Sequence, residues 1–201
     1  ANKLTTIEDS TFSNCRLMTD ISLPKSITSI KHSAFLQCTS LEEIKLPSEN
    51  MEIEFGEFAF YNCKDFRNFS IQPTVKKIGE ACFYNNKSLE FTPWLDERNE
   101  GLDIGRSAFG GCGFCGLSFK SGIINSMDSS AFGSCSLLQT IDLSDFDDSD
   151  NPPQWIGEDI FRTVATDGTI ILSKNAFVSQ DELKPNWYDF CSYRRRNWIY
   201  W

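Results

Sequence analysis

Residues 30–47, IKHSAFLQCTSLEEIKLP, decide the fold. Counted from Ile30, apolar or small residues recur at Phe35, Cys38, Leu41, Ile44 and Leu46, offsets of 5, 8, 11, 14 and 16, and Pro47 closes the unit. The same spacing carries Ile7 to Phe12, Cys15, Met18, Ile21, Leu23 and Pro24. It carries Phe55 to Phe60, Cys63, Phe66, Phe69 and Ile71, and Met127 to Phe132, Cys135, Leu138, Ile141 and Leu143. Three worn copies start at Ile78 (with Phe83 and Leu89), Ile104 (with Phe109 and Cys112) and Ile156 (with Phe161, Val164, Ile170 and Leu172). Seven copies, starting 23 to 29 residues apart, define a solenoid. A unit this short cannot bury its own apolar face, and only the next unit can cover it.

Within a unit, Ile44 and Leu46 alternate with Glu43 and Lys45. Period-two alternation predicts a short half-buried strand, ended by a proline that cannot continue a ladder. A second apolar pair follows (Ile27 and Ile30, or Val75 and Ile78), then a polar turn, then Ala34, Phe35 and Cys38 on one face at a helix-like or turn spacing. Strands stacked about 4.8 Å apart place seven units in an array on the order of 30 Å long. Phe12, Phe35, Phe60, Phe83, Phe109, Phe132 and Phe161 are then expected to form one interior aromatic column. Each buried ring contributes roughly 1.5 to 3 kcal/mol.

The 201 residues include 40% hydrophobic residues and 17 Phe, ample for a core and contrary to disorder. The net charge of -9 argues against a nucleic-acid backbone or an anionic membrane as partner. No run approaches the ~18 apolar residues of a membrane span. The chain starts at Ala1 without Met, and Leu4 and Ile7 already match Ile27 and Ile30. A mature or truncated piece, its N-terminal edge once covered by further sequence, is therefore expected, and a missing signal peptide says nothing about secretion.

Cys15, Cys38, Cys63, Cys112 and Cys135 share one offset, replaced by Asn86 and Val164 in two units. That position needs a compact inward side chain, which a buried free thiol supplies. Parallel inward-pointing side chains rarely give a disulfide's dihedral, so free thiols are expected. Cys112 and Cys115 have CxxC spacing, but both fall on interior positions of the repeat rather than at the helix start that a redox pair uses. Zinc would need a second pair of ligands, and neither another CxxC nor HxxxH exists. His32, the only histidine, lies in the polar turn and is expected to be solvated there rather than to serve as a base. Asp142, Asp145, Asp147, Asp148 and Asp150 cluster as calcium ligands do, yet the EF-hand spacing is missing and Pro152-Pro153 intervenes. A solvated insertion is expected, with no metal and no cofactor assigned.

SITSIKHSAFLQCTSLEEIKLP and TVKKIGEACFYNNKSLE resemble the leucine-rich repeats of bacterial surface protein A, the BspA-type class, over about residues 4–172. The resemblance implies a right-handed leucine-rich-repeat solenoid, mainly β, with short parallel strands on the concave face and turns, short 3-10 or α turns and short strands elsewhere. It also implies a secreted or surface-anchored protein of a host-associated microbe that serves in adhesion and binds host proteins. About seven repeats over residues 1–173 and an aromatic C-terminal cap over 174–201 are expected. The cap holds Trp187, Tyr188, Phe190, Tyr193, Trp198, Tyr200 and Trp201, with Arg194, Arg195 and Arg196 as a basic docking alternative. Extra residues between Leu89 and Leu102 and between Leu143 and Ile156 are expected to bulge as loops.

In such repeats the strand residues that alternate with buried ones face outward on the concave side. Here they are Asp20, Ser22, Glu43, Lys45, Asn68, Ser70, Thr140 and Asp142. They form a polar strip of the kind solenoids use to bind partners, although it lacks aromatic anchors. The expected function is a non-catalytic protein-binding or adhesion module, monomeric, at the cell surface or secreted, whose partner is a protein such as a host extracellular one. A structural spacer without a ligand is the alternative. An enzyme would need a catalytic constellation that the sequence does not assemble.

Overall fold

A computed structural model describes residues 3–46, 52–69, 74–90, 101–119, 124–143, 155–162, 169–172, 177–179 and 182–183. The apolar pair that precedes each SAF-like turn becomes a strand, and these strands stack in parallel. They are β1 (Thr6–Ile7), β3 (Ser29–Ile30), β5 (Glu52–Phe55), β7 (Thr74–Ile78), β8 (Leu102–Ile104), β10 (Ile124–Met127) and β12 (Trp155–Ile156). Together they form one seven-stranded sheet in that order. Its register aligns Ile7, Ile30, Phe55, Ile78, Ile104, Met127 and Ile156. Along β5 the pattern exposed, buried, exposed, buried shows one face on the core and the other in water.

The LxxIxLP segments form a second row, divided in two. β2 (Asp20–Ser22), β4 (Glu43–Lys45) and β6 (Asn68–Phe69) make one three-stranded sheet. β9 (Gly116–Ser118), β11 (Thr140–Leu143) and β13 (Thr169–Leu172) make another. Between them lies the unit that starts at Ile78, in which no strand follows Leu89 among the described residues. Residues 91–100 and 144–154, where loops are expected, fall outside the described residues.

The SAF-x-x-C piece is a turn run, and no helix of any type occurs among the described residues. Ser33 and Gln37 sit at φ 55° and 57°, and their counterparts repeat this in unit after unit. Two left-handed residues four apart forbid a helix. Alternate N–H groups leave the unit instead: Ser33, Phe35 and Gln37 donate to the carbonyls of Glu57, Ala59 and Tyr61 at 2.9, 2.8 and 2.8 Å. The N–H groups between them close tight local turns, such as Leu36 to Ser33 at 3.1 Å. The turns thus form a third column of inter-unit hydrogen bonds.

Inside, the phenylalanine column is continuous. Ring centroids from Phe12 through Phe35, Phe60, Phe83, Phe109 and Phe132 to Phe161 are 5.1, 5.2, 5.1, 5.5, 5.1 and 5.8 Å apart, all stacked. A second layer packs edge-on against it. Phe55 and Phe69 meet Phe60 at 5.7 and 5.9 Å, and Phe119 meets Phe132 at 5.7 Å.

Two residues expected inside are not. Cys15 is exposed, and Phe12, Met18 and Ile21 are only partly buried, because among the described residues their unit is covered on one side alone. Cys115 is exposed as well. Register pairs Leu117 with Ile141, so Phe114 takes the inward place that Leu138 holds one unit on, and Cys115 pairs outward beside Gln139. The unit is one residue short between Cys112 and Leu117. It closes through Gly113, whose missing Cβ would collide with the Lys87 carbonyl oxygen. Within the expected cap, β14 (Phe177–Ser179) and β15 (Glu182–Leu183) pair antiparallel, unlike the columns before them. The aromatic and arginine residues between 187 and 201 fall outside the described residues.

Candidate functional site

The proposed strip residues fall on both halves of the divided row. Asp20, Glu43 and Asn68 are in register, as are Ser22 and Lys45. Asp20, Ser22, Lys45 and Thr140 are exposed, whereas Glu43, Asn68 and Asp142 are half-buried. Thr140 and Asp142 lie in the other three-stranded sheet, opposite Gly116 and Ser118. Ser70 falls outside the described residues. Charges on this face pair internally. Lys45 Nζ donates to Asp20 Oδ1 at 2.7 Å, which lowers the Asp20 pKa and raises that of Lys45. Arg67 stands 3.9 Å from Glu42 alongside.

The seven-stranded sheet carries a groove of about 680 Å³ on its outward face. Its floor is glycine for a backbone reason. Gly56, Gly79 and Gly105 each follow the last buried residue of a strand, where the chain runs against the preceding unit. A Cβ on Gly79 would stand 2.5 Å from the Glu57 nitrogen, and one on Gly105 2.8 Å from the Glu80 nitrogen. Side-chain-free units leave a trough between two walls. One wall is the register row Ser29, Glu54, Lys77, Asp103 and Ser126. The other is Asp9, His32, Glu57, Glu80 and Arg106, with Lys31 and Asp128 at the ends of the floor.

Electrostatically the trough is unfinished. Asp103 Oδ1 accepts hydrogen bonds from Asn125 Nδ2 at 2.7 Å and Ser126 Oγ at 2.6 Å, which fixes its carboxylate. His32 Nδ1 lies 3.8 Å from Glu57 Oε2, too far for a hydrogen bond, and its ring meets the edge of Phe58 at 5.7 Å. Glu54, Lys77, Glu80 and Arg106 have no ion-pair partner among the described residues. The sequence held one signal for this surface, the recurring apolar-Gly-charged tripeptide at residues 55–57, 78–80 and 104–106.

The cysteines serve the interior. Cys38, Cys63, Cys112 and Cys135 each donate a thiol hydrogen bond to the carbonyl of the preceding unit's column residue: Phe12, Phe35, Phe83 and Phe109, at 3.0, 3.0, 3.0 and 3.2 Å. All seven described cysteines are free. Burial pushes Cys63, Cys82 and Cys112 upward and Cys135 up to about 12, whereas a hydrogen bond with Cys63 lowers Cys38. A redox CxxC needs a lowered first thiol, and Cys112 is the reverse. Asn86 holds the same column position, but at 0% exposure both its amide atoms are unpartnered among the described residues. No group of three or more His, Cys, Asp or Glu among the described residues is placed to hold a metal ion. Asp145, Asp147, Asp148 and Asp150 fall outside the described residues.

Comparison with known proteins gives a concordant result. The family model for the BspA type leucine rich repeat region matches residues 5–100 and 94–182, in six copies. A leucine rich cell surface protein from Faecalibacterium prausnitzii A2-165 is 21% identical, with a TM-score of 0.61 over 88% of this chain and 52% of that one. A leucine-rich repeat protein from Bacteroides ovatus ATCC 8483 is 17% identical, with a TM-score of 0.43 over 84% of this chain and 59% of that one. The chain thus spans 52% and 59% of the lengths of these two structures. No curated protein matches it.

Proposed function

The chain belongs to the BspA-type leucine-rich repeat family, and from that premise we propose that it is a non-catalytic, protein-binding module of a cell-surface or secreted protein. The observation that carries this reading is the trough, which spans several rigidly stacked units and holds Glu54, Lys77, Glu80 and Arg106, charges without an ion-pair partner among the described residues. Extended surfaces built across repeats are what solenoids offer a macromolecule. The strip of Asp20, Ser22, Glu43, Lys45, Asn68, Ser70, Thr140 and Asp142 is a second contact surface. It ranks below the trough because Lys45 and Asp20 already satisfy each other.

Placement outside the cell draws support from the family and from the F. prausnitzii protein, described as a cell surface protein. The buried thiols Cys82 and Cys112 fit an oxidising setting, since burial suppresses the thiolate that oxidation requires. Adhesion to a host protein is the corresponding role. Photo-crosslinkers placed at Ser126 in the trough and at Lys45 on the strip test the reading against an extracellular protein mixture. A polypeptide captured at either position, and displaced by excess unlabelled domain, supports it. Capture that does not saturate, or none, overturns it in favour of a spacer without a ligand.

A further inference from the structure

We infer that the trough receives an extended polypeptide segment rich in lysine or arginine, laid along the stack across the strands. This deepens the protein-binding reading and rests on it. Six carboxylates line the groove: Asp9, Glu54, Glu57, Glu80, Asp103 and Asp128. Against them stand three permanent cations, Lys31, Lys77 and Arg106. The surplus is negative, and it is gathered along one groove instead of being scattered over the surface.

Three features of the channel suit an extended chain. The floor of Gly56, Gly79 and Gly105 admits a backbone close to the sheet without meeting side chains. The distance from the unit of Asp9 to that of Asp128 is five steps of about 4.8 Å, or about 24 Å, which about seven extended residues cover. The carboxylates stand on both walls. Side chains alternating left and right along an extended ligand therefore meet Glu54 and Asp103 on one side and Glu57 and Glu80 on the other. Lys77, in register between Glu54 and Asp103, holds the only cation on its wall. It opposes ligands that are cationic at every residue and favours those with spaced charges.

The test titrates the full chain with three probes. These are a peptide of about nine residues alternating lysine with serine, its glutamate–serine counterpart, and spermine. Two double variants remove equal charge: Glu54→Gln with Glu80→Gln in the trough, and Glu42→Gln with Glu90→Gln outside it. All four residues are exposed, so the fold is kept. The basic peptide is expected to bind, weakening as ionic strength rises, and to lose about tenfold or more in affinity in the trough variant while the outer variant is unchanged. Equal loss in both variants would reduce the binding to the overall charge of -9 and overturn the inference. Binding of the acidic peptide, or spermine binding as tightly as the basic one, would overturn it too. Failure of every probe while saturable crosslinks persist at Ser126 sinks this inference alone. Loss of those crosslinks and of the ones at Lys45 as well sinks the protein-binding reading with it.

Discussion

Replacing Phe83 with alanine strikes the middle of the aromatic column. Phe83 is 0% exposed, stacked between Phe60 at 5.1 Å and Phe109 at 5.5 Å, and edge-on to Phe55 at 5.5 Å. Large-to-small changes of this kind cost about 3 to 5 kcal/mol, more where the surroundings cannot close over the void. Here they cannot. Hydrogen bonds from Phe60 N to the Cys82 carbonyl at 2.8 Å and from Phe83 N to the Ala108 carbonyl at 2.7 Å hold the units at fixed spacing on either side. The expected loss is therefore about 4 to 5 kcal/mol. Phe12 is the internal control, since it stacks on Phe35 alone and is only partly buried. Its alanine variant should lose about 1 to 2 kcal/mol. Urea unfolding followed by both circular dichroism and tryptophan fluorescence measures the two losses and tests whether the array unfolds as one unit. A Phe83→Ala loss below about 1 kcal/mol, or equal losses at the two positions, would refute the stacked interior.

Other consequences concern the thiols, the orphaned amide and the glycine floor. Because burial raises Cys63, Cys82, Cys112 and Cys135 above their ordinary value near 9, the fold favours the protonated thiols. That contribution is intact below pH 9 and lost above it, at about 1.4 kcal/mol per thiol per pH unit. The urea midpoint under reducing conditions should fall steeply between pH 9 and 10, and Cys112→Ala should remove about one proton from the slope; a flat profile would contradict the burial. Asn86→Cys should stabilise the chain by about 1 to 3 kcal/mol, because it replaces an unpartnered amide with the thiol used in other units. A loss on chemical denaturation would show that Asn86 has a partner. Gly79→Ala should cost about 1 to 3 kcal/mol through its 2.5 Å approach to Glu57 N, as overpacking does. Gly101→Ala, with nothing within 4 Å, should cost less despite its φ of +74°. The reverse order would contradict the packing of the floor.

The repeat made the interior legible. A fixed offset from Ile30 to Phe35, repeated in every unit, can only be satisfied by superposition of units, and the ring distances follow. The strand at Glu43–Lys45 was equally plain because it alternates beside a terminating proline. What the pattern concealed depends on neighbours in space. The pair Ser29–Ile30 is too short to read as a strand alone, yet six further pairs in register make its row the longer sheet. Cys115 was misplaced because counting from Ile104 ignores the residue lost after Cys112, whereas counting back from Leu117 puts Phe114 inside. Analogy with Cys38 places Cys15 inside, yet among the described residues its unit is covered on one side only. The strip at Asp20 and Lys45 was visible as alternation. The trough was not, because its floor is defined by absent side chains and its walls come from residues two or three positions apart in several units.

The most direct test of the stacked interior is a map of ring-to-ring NOEs in a sample labelled only at phenylalanine. The structure requires an unbroken chain of contacts from Phe12 through Phe35, Phe60, Phe83, Phe109 and Phe132 to Phe161, at centroid separations of 5.1 to 5.8 Å. Rings that fall into isolated pairs or separate clusters would contradict it.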